Sequence, residues 1–310
     1  MKNVKQLVIT MTMAATTKAS FRHVPLARDA RCLTDGVALV PCFVNVFTSR
    51  PTDDSRDSSP VVIMPWIGFG TYKLGQSKAR EAVLQAFEAG YRHIDTAFIY
   101  SRQRTEIAVG KALQETNLRR QDIFVTSKHW RTYHGYDPSW ECLNLSLERL
   151  QLNYLDLWLM HWPGPAWKKR SNNKTDGVDD EESNGEVNNP WRDADSQARN
   201  SIDMQQLRTE TWRAMEDAYL QGKVRAIGVC NFSLPQLEAL VEQCRIQPMV
   251  CQVEYHPLCA QQQLPLLQYC QEQGIIVQAY ASLGGQDTSA EQWEAVLGQQ
   301  QEQQQLASRH

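Results

Sequence analysis

From about residue 61 onward, short apolar segments alternate with longer amphipathic segments. The short segments have the length and near-continuous apolar character of buried strands. The longer ones carry apolar residues at helical spacing, and several end near glycine, the preferred residue after a helix. Such alternation predicts a parallel sheet, because each helix that joins two strands must cover one face of the sheet. The candidate strands are residues 65–72, 91–97, 122–128, 154–162, 224–232, 249–255 and 275–283.

Two folds satisfy this pattern, a doubly wound open sheet and a closed (β/α)8 barrel. A dinucleotide-binding fingerprint would favour the open sheet, and the segment GFGTYKLG (68–75) follows the first candidate strand. The fingerprint Gly-x-Gly-x-x-Gly requires glycine at the position that Lys73 occupies, so this segment does not match it.

A polar segment rich in Asn and Asp, at residues 166–203, separates the fourth candidate strand from the fifth. It is far longer than an ordinary loop between a strand and a helix. Its acidic run DDEE (179–182) is typical of solvated surface. Because the segment follows the carboxyl end of a strand, a lid over an active site is the alternative interpretation.

The overall charge indicates a small-molecule partner. The 310 residues include 32 Lys and Arg against 35 Asp and Glu, a formal net charge of -3. No basic stripe of the kind that a nucleic-acid groove needs is present in the sequence. No apolar run approaches the roughly 20 residues of a membrane span. We therefore expect neither a nucleic-acid partner nor a membrane segment.

Cysteine usage and the first residues bear on location and domain boundaries. The eight cysteines form no C-x-x-C pair, which favours a reducing, cytoplasmic environment over a zinc site or a disulfide framework. The first 34 residues are basic and poor in acids, so a mitochondrial transit peptide is an alternative. We predict a disordered extension and linker at 1–60, one barrel domain at 61–298 and a glutamine-rich tail at 299–310.

Chemically capable side chains fall at the ends of successive candidate strands. Asp95 ends the second strand, Lys128 the third and His161 lies near the end of the fourth, while Tyr100 follows Asp95 in the next loop. Taken singly, Asp95 could cap a helix, Lys128 could be a solvated strand end and His161 a core histidine. In a parallel barrel, however, all strand carboxyl ends open on one face, where active sites form. The repeated placement therefore favours an active site.

Eight motifs together resemble the aldo-keto reductase family, in the same order and at fitting intervals. They are GFGTYKLG, GYRHIDTAFIY, EIAVGKALQE, FVTSKHW, YLDLWLMHWPGPAW, KVRAIGVCNFS, QVEYHP and QAYASLGG, and the resemblance covers roughly residues 61–298. It implies a (β/α)8 TIM barrel, an NADPH cofactor bound across its mouth, and reduction of aldehydes or ketones to alcohols. It also implies no metal, and a monomer if the barrel closes.

The resemblance assigns roles to the four residues at the strand ends. Tyr100 would be the general acid that protonates the carbonyl oxygen. A free phenol has a pKa of roughly 10 and needs a neighbour that stabilises its phenolate. Lys128 would supply that positive charge, and Asp95 would hold Lys128. His161 would direct the substrate oxygen toward the tyrosine.

The resemblance also implies the residues around the cofactor and the substrate. Cys230 and Asn231 stand where the family has Ser-Asn, so that a weak thiol donor replaces a hydroxyl. Tyr280 would stack on the nicotinamide, and Gln252 would contact its amide. The implied cofactor contacts are Thr71, Cys230, Asn231, Gln252 and Tyr280, and the implied substrate pocket is lined by Tyr72, Trp130 and Trp162.

The resemblance ends before the family's eighth strand. There the family carries a Pro-Lys-Ser or Pro-Lys-Thr motif that binds the adenosine 2′-phosphate, whereas this chain continues into QQQEQQQLASRH (299–310). We therefore expect a barrel that lacks its eighth strand and helix and has two unpaired edges. The alternative to a working reductase is a truncated, catalytically weak or inactive chain that acts as a binding protein.

Overall fold

Eight strands close into a barrel in the computed structural model of the chain, which describes residues 9–13, 43–46, 62–165, 203–282 and 284. In chain order the strands are β1 (Ile9–Met13), β2 (Phe43–Val46), β3 (Val62–Pro65), β4 (Ile67–Gly70), β5 (His93–Asp95), β6 (Phe124–His129), β7 (Leu157–Met160), β8 (Ile227–Cys230), β9 (Val250–Glu254) and β10 (Ile276–Tyr280). The helices are α1 (Gly75–Glu88), α2 (Tyr100–Glu115), α3 (Tyr136–Leu150), α4 (Met204–Leu220), α5 (Leu234–Val241) and α6 (Ala260–Gln273). Strands β2 and β3 form a separate two-stranded sheet.

The parallel wall of the barrel confirms the fold predicted from the sequence. Each of the seven candidate strands overlaps one of the strands β4 to β10, and these pair with their neighbours in parallel and in chain order. The register places Asp95 beside Thr126, and Cys230 beside Gln252. Because neighbouring strands run in the same direction, their carboxyl ends lie on one face of the barrel.

Burial on both faces explains why these strands are almost continuously apolar. All four residues of β7 and all six of β6 are buried, between the barrel interior and the surrounding helices. On the outer side, Trp212 of α4 is 1 % exposed and donates a hydrogen bond to the Ile246 carbonyl oxygen at 2.9 Å. Strands β8 and β9 approach closely at Gly228, where a methyl group would collide with the Val250 carbonyl oxygen.

The eighth position of the barrel is filled by β1, a strand from the predicted extension. It pairs antiparallel with β10, where Met11 lies opposite Ala279, and antiparallel with β4, where Met11 lies opposite Ile67. The structure therefore differs from the expectation of two unpaired edges. A free edge presents a row of N–H and C=O groups to which any compatible strand can pair. The segment ITMTM is suited to this role because Ile and Thr favour extended backbone.

The prediction of a disordered extension thus does not describe β1 and β2. The other residues of 1–60, most of the polar insertion at 166–203 and the glutamine-rich tail lie outside the described residues. No eighth parallel strand occurs in the part of the chain that the structure describes. Among the helices of that part, none is both long and apolar enough to cross a membrane.

Candidate active site

The four residues predicted at the strand ends meet at one face of the barrel. Asp95 is the last residue of β5, Lys128 lies near the end of β6, and Tyr100 begins α2. The Lys128 ammonium donates to Asp95 Oδ1 at 2.5 Å, to the Thr96 carbonyl oxygen at 3.0 Å and to the Tyr100 hydroxyl oxygen at 3.3 Å. The lysine therefore bridges a carboxylate and a phenol, the arrangement that the resemblance implies.

The ion pair between Lys128 and Asp95 is almost completely removed from solvent. Lys128 is 1 % exposed and Asp95 is 5 % exposed. Burial by itself lowers the pKa of the Lys128 ammonium, but the charge of Asp95 and the neighbouring Tyr100 outweigh burial and raise that pKa above its ordinary value. Lys128 is consequently a permanent positive charge beside the phenol.

Tyr100 remains a protonated phenol at neutral pH. Burial raises its pKa to about 12, and the opposing effect of the Lys128 charge is smaller than that of burial. As expected from the sequence, the Lys128 charge lowers the pKa of Tyr100, but burial raises this pKa by more. A protonated hydroxyl that faces a fixed cation is suited to donate a proton and then to carry negative charge.

His161 follows β7 and lies beside Tyr100 as a neutral imidazole. Burial, and then the charge of Lys128, hold the pKa of His161 well below its usual value. Its ring centroid lies 6.0 Å from that of Tyr100 and 5.7 Å from that of Trp130. Its buried Nδ1 atom has no hydrogen-bond partner among the described residues. A neutral ring in this place can orient an oxygen atom without itself ionising.

The backbone immediately after Tyr100 is strained. Ser101, Arg102 and Gln103 have φ values of 50°, 55° and 70°, the left-handed region that residues with a Cβ atom avoid. The Gln103 side-chain oxygen accepts a hydrogen bond from the Arg149 guanidinium at 2.7 Å, and the Gln103 backbone N–H donates to the Ile99 carbonyl oxygen. Such strain collects where a functional side chain must be held in place. No local sequence signal indicated it, because none of the three residues is glycine.

On the opposite side of the site, Asn231 links residues at the carboxyl ends of three strands. It adopts a left-handed φ of 60° just after β8. Its amide nitrogen donates to the His161 carbonyl oxygen at 3.0 Å, and its side-chain oxygen accepts from the Tyr280 hydroxyl at 2.7 Å. Both ends of the amide are thereby engaged, and Tyr280, at the end of β10, is held by its hydroxyl.

Three of the predicted cofactor residues contact Asp95 or its hydrogen-bond partner Gln252. The Gln252 amide nitrogen donates to Asp95 Oδ2 at 2.8 Å, and the Cys230 thiol donates to Gln252 Oε1 at 3.5 Å. Burial raises the pKa of the Cys230 thiol to about 12, so it stays protonated. Thr71, another predicted cofactor contact, is fully buried and donates to the Asp95 carbonyl oxygen at 3.0 Å. In this structure these three side chains support the acid network.

Sequence reasoning missed one member of this network, Gln278 in the middle of β10. Its side-chain oxygen accepts a hydrogen bond from the Gln252 amide nitrogen at 2.9 Å. The available signal was a single polar residue inside the apolar strand IVQAY. A buried polar side chain needs a hydrogen-bond partner, so its position inside an apolar strand indicates an internal network.

The predicted pocket residues differ in their exposure. Tyr72 is 46 % exposed and Trp162 is 38 % exposed, whereas Trp130 is buried. The Tyr72 ring lies 5.1 Å from the Tyr100 ring, and the Trp162 ring stacks beside His161 at 6.2 Å between centroids. Two exposed aromatic rings therefore flank the phenol and the imidazole, and Trp130 packs behind the imidazole.

Comparison with known proteins agrees with this geometry. The sequence model of the Aldo/keto reductase family matches residues 66–307. The chain belongs to the aldo/keto reductase family. It is 38% identical over 223 residues to glyoxal reductase of Bacillus subtilis, a match that covers 72% of this chain and 64% of that protein. It is also 38% identical to glycerol 2-dehydrogenase (NADP(+)) of Saccharomyces cerevisiae, over 72% of this chain and 66% of that one.

Solved structures show the same relationship. An aldo/keto reductase from Brucella melitensis superposes with a TM-score of 0.56 at 32% sequence identity, covering 73% of this chain and 71% of that one. An aldo-keto reductase from Bombyx mori in complex with NADP has a TM-score of 0.56 at 33% identity, covering 71% of this chain and 63% of that one. The chain thus matches less than two thirds of the length of glyoxal reductase and of glycerol 2-dehydrogenase.

Proposed function

We propose that this chain reduces aldehydes or ketones to alcohols with NADPH, and that Tyr100 is the general acid. The contact of the Lys128 ammonium with both Asp95 Oδ1 (2.5 Å) and the Tyr100 hydroxyl oxygen (3.3 Å) carries this proposal. Its similarity to glyoxal reductase and to an NADP-dependent dehydrogenase supports the same reaction class.

In the proposed reaction, Tyr100 donates its hydroxyl proton to the carbonyl oxygen of the substrate. Lys128 stabilises the phenolate that results, because its charge is fixed by Asp95 in a dry environment where electrostatic attraction is strong. His161 is neutral and positions the carbonyl oxygen near the Tyr100 hydroxyl. NADPH, when bound, would supply the hydride.

Several observations on the far side of the site fit a nicotinamide ring. Tyr280 is half-buried at the end of β10 and offers a flat ring whose hydroxyl is tied to Asn231. The Ser282 hydroxyl oxygen, just beyond Tyr280, is buried and has no hydrogen-bond partner in the described part of the chain. Buried polar atoms are normally satisfied, so this hydroxyl is suited to pair with a carboxamide. The preference for NADPH over NADH rests on the family resemblance.

The aromatic rings at the mouth favour a carbonyl compound with an apolar portion. Tyr72 and Trp162 present large exposed rings on either side of Tyr100 and His161. Flat aromatic surfaces of this kind bind apolar ligands and leave a few polar groups to set their orientation.

The substitution Tyr100→Phe tests the proposal. It removes the proton donor but keeps the ring, so we expect loss of carbonyl reduction by at least about 100-fold and little change in the dissociation constant of NADPH. The rate is measured as NADPH oxidation with a panel of aldehydes that includes glyoxal. Cofactor affinity is measured by quenching of tryptophan fluorescence.

Tyr136→Phe is the matched control, because Tyr136 is exposed and its hydroxyl donates to Asp217 on the outside of the barrel. We expect this variant to retain the wild-type rate. If Tyr100→Phe also retained most of the wild-type rate, the assignment of the general acid would be wrong.

A further inference from the structure

Gln278 occupies an unusual place for a polar side chain. It lies in the middle of β10, fully buried, and its side-chain oxygen accepts one of the two hydrogens of the Gln252 amide. The other hydrogen of that amide is directed at Asp95 Oδ2. The chain of contacts from Gln278 to Gln252, Asp95, Lys128 and Tyr100 therefore joins strands that are far apart in the sequence.

We propose that Gln278 is a positioning residue that fixes the orientation of the Gln252 amide and thereby holds Asp95 in place for Lys128. This inference rests on the proposed function, because the alignment of Asp95 and Lys128 matters only if Tyr100 donates a proton.

The orientation of a glutamine amide is set by its neighbours, because its two ends differ only in whether they donate or accept. Here the nitrogen of Gln252 faces two acceptors, Asp95 Oδ2 and Gln278 Oε1, while its oxygen accepts from the Cys230 thiol. A reversed amide would direct its oxygen at a carboxylate and at another carbonyl. The acceptor of Gln278 and the donor of Cys230 thus select the orientation that binds Asp95.

The hydrogen bond between Gln278 Oε1 and the Gln252 amide leaves the amide nitrogen of Gln278 itself unsatisfied. The Gln278 amide nitrogen is buried without a hydrogen-bond partner among the residues that the structure describes. An unpaired buried donor is unfavourable, so the orientation of Gln278 is consistent with a requirement for its oxygen at Gln252. Both oxygens of Asp95 then have a donor, Lys128 on one and Gln252 on the other.

Two substitutions in the full-length chain separate this role from simple packing. Gln278→Met keeps the length and volume of the side chain but removes the acceptor, whereas Gln278→Glu keeps an acceptor oxygen. We expect Gln278→Met to lower kcat about tenfold with the KM for the aldehyde nearly unchanged, since only the alignment of the acid is affected. Gln278→Glu should have a higher kcat per folded molecule than Gln278→Met. Gln268→Met is the control at an exposed site on α6, and its kcat should equal that of the wild type.

Crystal structures of the wild type and of Gln278→Met provide a readout that does not depend on activity. We expect the Gln252 amide nitrogen to leave hydrogen-bond distance of Asp95 Oδ2 in the variant. An unmoved Gln252 would overturn the proposal, as would a kcat of Gln278→Met equal to that of the wild type. A wild-type chain without carbonyl reduction would instead contradict the proposed function, while the two structures would still decide the role of Gln278.

Discussion

The wall of the barrel that carries the acid and the place where the barrel closes are built differently. In the wall, β5, β6 and β7 follow one another in the sequence, pair in parallel and bury their side chains on both faces. At the closure, β1 comes from a distant part of the chain and pairs antiparallel with β10 and β4. The chemistry therefore depends on buried charges in the wall, whereas closure depends on a backbone ladder. The two features should be separable by mutation.

The largest effect is expected in the wall, from Lys128→Met. Loss of the ammonium leaves Asp95 as an unpaired buried charge, which should cost about 3–5 kcal/mol of folding free energy. It also removes the charge that stabilises the phenolate, so we expect kcat to fall by about 10²- to 10⁴-fold. The rate is measured as NADPH oxidation and the stability by urea unfolding.

The double variant Asp95→Asn with Lys128→Met separates the two effects. Because it removes both members of the ion pair, it should unfold at a urea concentration much closer to that of the wild type than Lys128→Met does. We expect it to remain as inactive as the single variant. Recovery of activity together with stability would show that Lys128 serves the fold and not the reaction.

A smaller effect is expected at the closure, from Thr12→Pro in β1. Thr12 lies opposite Gln278, and β1 is bounded by a strand on each side, so proline would remove a ladder hydrogen bond and distort the strand. We expect the melting temperature to fall by several degrees, and kcat per folded molecule to fall far less than in Lys128→Met. Thermal unfolding followed by circular dichroism measures the first quantity.

Thr12→Val is the matched control, because valine keeps the backbone N–H and favours extended backbone. Its melting temperature should equal that of the wild type. If the proline and valine variants had the same melting temperature, β1 would contribute nothing measurable to the stability of the barrel. The proposed difference between wall and closure would then be wrong.

The wall could be predicted from the sequence because its signals are local. Apolar strands alternate with amphipathic helices, and Asp95, Lys128 and His161 stand at or near strand ends, so the parallel order alone brings them together. The motif resemblance then gave each residue a role.

The other features depend on contacts that no local pattern contains. The hydrogen bond between Gln252 and Asp95 joins positions 157 residues apart. The Ile and Thr residues of β1 were a usable signal for a strand. Its place in the barrel could not be predicted, because this depends on which edges of the sheet are left open. The left-handed backbone at Ser101–Gln103 is imposed by its surroundings, because nothing in those residue types favours it.

The smallest expected effect concerns the pH dependence of kcat, which tests whether solvent reaches the buried residues of the wall. Burial and the Lys128 charge lower the pKa of His161, so this ring should not gain a proton as the pH falls through its usual value. Burial raises the pKa of Tyr100 to about 12, so the phenol keeps its proton as the pH rises. We therefore expect kcat for reduction to be nearly constant between about pH 6 and pH 9. An inflection near pH 6.5 that is absent from His161→Asn would show that His161 ionises and that water reaches the wall.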